Sequence, residues 1–157
     1  MKILVDADSC PRTARELVMR AAKRCSLTAV FVANRPVPGL WGDAMMELCP
    51  PGEGAADDRI VELARQGDLV ITRDIPLAAR VVELNVAVMD DRGNVYTGEN
   101  IRERLSLRNF IVDLAHKGLD GERNPSYGKK EIRMMANSLD RLLAKLNPPR
   151  GTWPGSV

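Results

Sequence analysis

Apolar positions in the first ninety residues alternate between short continuous runs and helical spacing. Ile3-Leu4-Val5 is a brief unbroken run, the mark of a strand buried on both faces. Between Arg12 and Arg24, the residues Ala14, Leu17, Val18, Ala21 and Ala22 fall on one face of a helix. Thr28 to Ala33, "TAVFVA", is β-branched and apolar and reads as a second strand. Residues 34–54 are rich in Pro and Gly, which predicts a loop with a short helix or strand inside it. Helical spacing returns from Asp57, with Ile60, Val61 and Ala64 on one face, and Gly67 ends it. Asp68 to Thr72 is the next strand, Pro76 opens a helix to Leu84, and Val86 to Met89 is a further strand. Strands alternating with helices predict an α/β fold, with a mainly parallel central sheet between helices on both faces.

After residue 100 the strand pattern stops. Two helical stretches follow, Asn100–Lys117 and Lys129–Leu146, separated by "GLDGERNPSYG". The second carries Ile132, Met135, Leu139, Leu142, Leu143 and Leu146 at helical spacing. Residues 1–146 therefore read as one three-layer domain, and 147–157, aperiodic and full of breakers, as a poorly ordered tail.

Composition narrows the chemistry. The 157 residues are enough to bury a core without staples. No apolar stretch approaches a membrane span, and the start lacks a signal peptide's basic-then-apolar pattern, so a soluble cytoplasmic protein is expected. Cys10, Cys25 and Cys49 are widely spaced and form no CxxC, which argues against a disulfide framework or a zinc site. With His116 the single histidine, a histidine triad or multi-histidine metal site is excluded. Residues 1–100 carry 12 basic and 15 acidic side chains, whereas 101–157 carry 11 basic and 6 acidic. An acidic front half and a basic back half suit a carboxylate site whose polyanionic substrate is held elsewhere, although solvated helix faces give the same count.

Ligands of an open parallel sheet bind outside the carboxyl ends of its strands. Asp6 follows the first strand, Asp8 lies two residues on, and Asp74 follows "LVIT". Asp57 and Asp58 open a helix whose start belongs at the same edge. Asp57 shares the face of Ile60, Val61 and Ala64 and so points inward, while Asp58 belongs on the rim. An aspartate before a helix also serves as an N-cap worth about 0.5–2 kcal/mol. Capping accounts for each aspartate singly but poorly for four or five together, since each charge raises the cost of ionising the others. Oxygen ligands without histidine point to Mg²⁺ or Mn²⁺, which orient a phosphodiester and activate water.

The segments "VDADSCP" at 5–11, "FVAN" at 31–34, "AADDRIVELA" at 55–64 and above all "GDLVITRDIPLAARV" at 67–81 resemble the YaiI/YqxD family of bacterial proteins, which is grouped with the PIN-like nucleases. The resemblance runs in order over residues 2–146. It implies a PIN-like α/β domain of the kind that cleaves RNA or flap DNA with clustered acids and Mg²⁺ or Mn²⁺, while the family itself brings no established activity. The PIN-like pattern falls on Asp6, Asp57 and Thr72-Arg73-Asp74. Ala55 stands where a further acidic residue is expected. Glu47 is the one candidate for the carboxylate expected between the first strand and the acidic helix, unless Asp8 takes that role. "NPSYGKKE" replaces a glycine- and proline-rich run.

On this reading Asp6, Asp57 and Asp74 are metal ligands. Asp8 and Asp58 hold a metal-bound water or a second ion, which makes Asp58 a metal ligand and Asp8 a catalytic group. Thr72 orients Asp74 or a phosphate, and Asn34, Arg73 and Arg12 bind substrate. RNA is the favoured partner; the oligomeric state is left open. The competing class is a non-catalytic module that binds RNA or protein. "ILVDADSC" also resembles the first motif of haloacid-dehalogenase-type phosphatases, with Asp6 as nucleophile, but the later motifs are not found in order. Cys10 opens a helix, yet Arg15 comes one residue too soon for a cysteine phosphatase loop, and a buried structural thiol is the better account. Arg15, Arg35, Arg102, Arg104, Arg108, Lys129, Lys130 and Arg133 supply further cations for phosphates. Two Trp, two Tyr and two Phe are too few for a stacking platform, so binding would be backbone-driven and salt-dependent.

Overall fold

A computed structural model describes residues 1–116 and 126–148. The tail beyond 148, and Lys117 with most of the 118–128 connection, lie outside the described residues. In chain order the elements are β1 (Lys2–Asp6), a 3₁₀ turn (Ala7–Ser9), α1 (Arg12–Arg24), β2 (Thr28–Ala33) and β3 (Met45–Leu48). Then come α2 (Ala55–Leu63), β4 (Leu69–Ile71), α3 (Ile75–Glu83), β5 (Ala87–Met89), β6 (Val95–Tyr96), α4 (Ile101–His116) and α5 (Lys129–Leu146).

The strands form one sheet in the order β3-β2-β1-β4-β5-β6, parallel throughout except for β6, which runs antiparallel to β5. Because side chains alternate along a strand, the apolar runs feed both faces. Ile3, Val5, Phe31 and Ile71 pack with α1 and α5 through Val18, Met135, Leu139 and Leu143. Leu4, Val30, Val32 and Val70 pack on the other face with α2, α3 and α4 through Ile60, Leu77, Val81 and Ile101. The expected three layers are present. The run Ile3-Leu4-Val5 is continuous because every one of its side chains has a helix to meet.

The segment 34–54 holds β3, the edge strand. Its Met45 and Leu48 stay more than half exposed, which is why its pattern was ambiguous. Strand β6 was not expected. It follows a turn in which the Asp90 carboxylate accepts from the Arg92 and Asn94 backbone N–H groups, both at 2.9 Å. Gly93 completes that turn at φ +88°, and a Cβ there would sit 2.5 Å from the Met134 carbonyl of α5. Among the described residues, no helix is long and apolar enough to cross a membrane.

The topology places the site. After β1 the chain leaves through α1 toward β2. After β4 it leaves through α3 toward β5, in the opposite direction and on the opposite face. The carboxyl ends of β1 and β4 are therefore neighbours with diverging exits, the switch point at which such sheets open a crevice.

Candidate functional site

The last residue of β1 is Asp6, buried at 7% exposure. On β4 the chain ends Ile71-Thr72, and Thr72 reaches across. Its hydroxyl donates to Asp6 Oδ2 at 2.8 Å and accepts from the Asp74 backbone N–H at 3.0 Å. One side chain thus ties the two strand ends together. Asp74 starts α3, ahead of Pro76, and its Oδ1 accepts from the Leu77 N–H at 3.0 Å. Asp74 is therefore an N-cap as well as a member of the edge, and its remaining oxygen is left for other work.

Asp6, Asp8, Asp57 and Asp74, with Ser9, Asn34, Gly54 and Ala56, line one open cleft of about 230 Å³. The inward assignment of Asp57 holds: it is half-buried and lines the cleft. Asp58 is exposed and its Oδ1 takes a hydrogen bond from Arg80 at 3.0 Å, so it does not line it. Asp8, at the lip, accepts from the Asn34 backbone N–H at 3.2 and 3.4 Å. The Oδ1 atom of Asn34 is buried and has no hydrogen-bond partner among the described residues. Glu47 is held by Arg59 at 2.7 Å on β3, so the carboxylate that joins the cleft from the first part of the chain is Asp8.

The electrostatics are unbalanced. Burial, chiefly, pushes the Asp6 carboxyl up to about 6; the Thr72 hydrogen bond opposes this, and the charges of Asp57, Asp74 and Asp8 add to it. Asp57 is also raised, first by burial and then by Asp74, with Arg80 opposing. A hard divalent cation matches this donor set of carboxylate oxygens and would relieve the repulsion. As placed, the carboxylates ring the cleft without converging. Among the described residues, no three His, Cys, Asp or Glu side chains are close enough together to hold a metal ion.

Arg73 and Arg12 do not line the cleft. Arg73 turns away, donating from Nε to Asp91 at 2.6 Å, with its guanidinium 5.9 Å from the Tyr127 ring. Arg12 is exposed at the start of α1. Cys10 is buried, and burial followed by the Asp91 charge pushes its thiol up to about 12, so it is no thiolate nucleophile.

Sequence reasoning missed Asp90 and Asp91, which follow β5. Asp90 is fully used by its turn, accepting also from Asn94 Nδ2 at 2.8 Å and the Tyr96 hydroxyl at 3.0 Å. Asp91, 2% exposed, anchors Arg73, and its Oδ1 has no partner among the described residues. The signal was present: "AVMDD" is an apolar run ending in carboxylates, as is "ILVDAD".

Comparison with known proteins adds one family. The model of the family described as "Uncharacterized BCR, YaiI/YqxD family" matches residues 4–145. A UPF0178 protein of Treponema pallidum is 50% identical over 147 residues, covering 93% of this chain and 83% of its own length. One from Treponema denticola is 48% identical, covering 92% of this chain and 93% of its own length. One from Cupriavidus pinatubonensis is 43% identical, covering 92% and 97%. No solved structure matches the chain.

Proposed function

The chain belongs to the YaiI/YqxD family, and on that footing we propose that it is a divalent-cation-dependent phosphodiester hydrolase of PIN-like type, working on nucleic acid in the cytoplasm. The observation that carries this reading is Asp6. It is a buried carboxylate with three others about the same cleft and no cationic side chain among the residues that line it. A preference for RNA over DNA rests on the resemblance to PIN-like nucleases.

Asp6, Asp57 and Asp74 would hold the ion only by drawing inward onto it, because as placed no three acids among the described residues are close enough together to do so. When bound, Mg²⁺ or Mn²⁺ supplies charge neutralisation and polarisation of a phosphoryl oxygen. The chain's own residues do the rest. Thr72 fixes the Asp6 carboxylate through Oδ2 and the start of α3 through the Asp74 N–H, so the two carboxylates keep their separation. Asp8, exposed at the lip and steadied by the Asn34 N–H, would accept a proton from a water attacking the phosphorus. Asp58, on the rim and paired with Arg80, contributes negative potential only.

The test is cleavage of single-stranded RNA with Mn²⁺ or Mg²⁺ by wild type, Asp6→Asn and Asp74→Asn. Asn still caps a helix, so the second variant removes charge without removing the cap. Both variants should lose activity at least about 100-fold, a barrier increase of roughly 2.7 kcal/mol. Wild-type cleavage by either variant would sink the assignment. RNA binding without turnover by wild type would select the non-catalytic module instead.

A further inference from the structure

Helices that begin at the carboxyl edge differ by face. On one face, α2 opens with Asp57 and Asp58 and α3 is capped by Asp74, the charge sign that a helix N-terminus favours. On the other, α1 opens with Arg12 and has no acidic residue in its first turn, and α5 opens with Lys129 and Lys130. Cations in those positions oppose the helix macrodipole, so helix stability does not account for them.

Both helices start at the same edge. The Tyr127 hydroxyl, just before α5, donates to the Asp91 carbonyl beyond β5 at 2.6 Å. At the far end, Asn147 Nδ2 donates to the Cys25 carbonyl that follows α1. The two helices therefore run in parallel, and their first turns lie at the carboxyl edge of the sheet, the edge that also holds the acidic cleft. Tyr127 also gathers cations at that edge: Arg73 and Arg92 lie 5.9 and 5.6 Å from its ring. Glu131, the acid in the first turn of α5, is engaged by the Gly128 N–H at 2.9 Å and by Arg92 at 3.7 Å. Arg12, Lys129, Lys130 and Arg133 are all exposed, and none has an ion-pair partner among the described residues.

We propose that this edge of the α1/α5 face is a docking shelf for the phosphate backbone of a single nucleic-acid strand. Arg12, Lys129, Lys130 and Arg133 make the phosphate contacts, and Tyr127 holds Arg73 and Arg92 at the root of the shelf. The inference deepens the hydrolase reading and rests on it for the identity of the polyanion. The strand lies on the basic face, and one of its phosphodiesters reaches over the edge into the cleft. Few aromatic side chains border the shelf, so recognition is by charge and is indifferent to base.

The experiment is binding of a labelled 20-nucleotide RNA in chelator, over a range of salt, to wild type and to the triple variant Lys129→Ala, Lys130→Ala, Arg133→Ala. Wild type should bind, and the triple variant should lose at least about tenfold in affinity. Its log–log salt slope should fall by roughly 2, since each lost single-strand phosphate contact removes about 0.7. Arg12→Ala, on a separate helix, should lower the slope by about 0.7 and keeps the test decisive if the triple variant does not fold. Unchanged affinity and slope in both would overturn the shelf, as would failure of wild type to bind RNA at 50 mM salt. Phosphatidylserine vesicles that displace the RNA at equal phosphate concentration would overturn a nucleic-acid occupant. Hydrolysis of bis-p-nitrophenyl phosphate by wild type reports the cleft alone. Its absence with RNA binding intact contradicts the hydrolase reading and leaves the shelf standing.

Discussion

Asp68, just before β4, and Asp6, the last residue of neighbouring β1, are both buried, yet they lie at opposite edges of the sheet and meet opposite treatment. At the amino edge, Asp68 accepts from the Lys2 backbone N–H at 3.0 Å, the Lys2 ammonium at 2.6 Å and the Arg65 N–H at 2.9 Å. At the carboxyl edge, Asp6 has the Thr72 hydroxyl and a ring of carboxylates. A carboxylate kept for the fold is given donors by its own chain, and Asp90, with four, is another such case. Asp6 is given one donor and three repulsive neighbours. The difference separates an acid that staples one strand end to its neighbours from one to which the described residues give a single donor.

The largest effect that would break this comparison is on turnover. Asp6→Asn should abolish RNA hydrolysis, the loss of about 100-fold or more set out above, while an activity assay on folded Asp68→Ala should find cleavage close to wild type.

Stability should divide the other way. Removing Asp68 strands a lysine and two backbone donors, so Asp68→Ala should cost about 2–4 kcal/mol in denaturant unfolding. A cost under about 0.5 kcal/mol would make the two aspartates alike.

Acidity sharpens the contrast further. Because the Asp6 carboxyl is pushed up to about 6, the folded chain holds that proton more tightly than the unfolded chain does. The associated stability is complete below about pH 4 and is lost as pH rises through about 6. Without divalent ions, wild type should lose on the order of 2–3 kcal/mol across that window relative to Asp6→Asn. Melting curves at pH 4, 6 and 8 measure the difference, and parallel curves for the two proteins would refute it.

Asp58→Asn should do least. An exposed pair such as Asp58–Arg80 contributes about 0–1 kcal/mol, and cleavage should fall by no more than a fewfold. A loss as large as that of Asp6→Asn would move Asp58 into the site.

The four strands read from the sequence were legible because each is covered on both faces and so must be apolar throughout. The inward turn of Asp57 was legible from its 3.6-residue relation to Ile60. Strand β3 was blurred by its exposed Met45 and Leu48, and β6 rests on two residues and a turn whose chemistry, "DDRGN", lies outside any periodicity. What the sequence could not display were contacts made across distance. Arg73 reads as a substrate ligand beside Asp74, yet it is claimed by Asp91, and Tyr127 brings the start of α5 to the same edge from 36 residues away. Local pattern marks which residues are carboxylates at strand ends; tertiary partners decide which of them remain unpaid.

A divalent cation at the carboxyl edge should depend on Asp6 and Asp74. Calorimetric titration of Mn²⁺ into wild type, Asp6→Asn and Asp74→Asn tests it most directly. Wild type should bind saturably, both variants should lose that binding, and Asp68→Asn, if folded, should keep it. No heat of binding to wild type at millimolar Mn²⁺, or undiminished binding to Asp6→Asn, would contradict it.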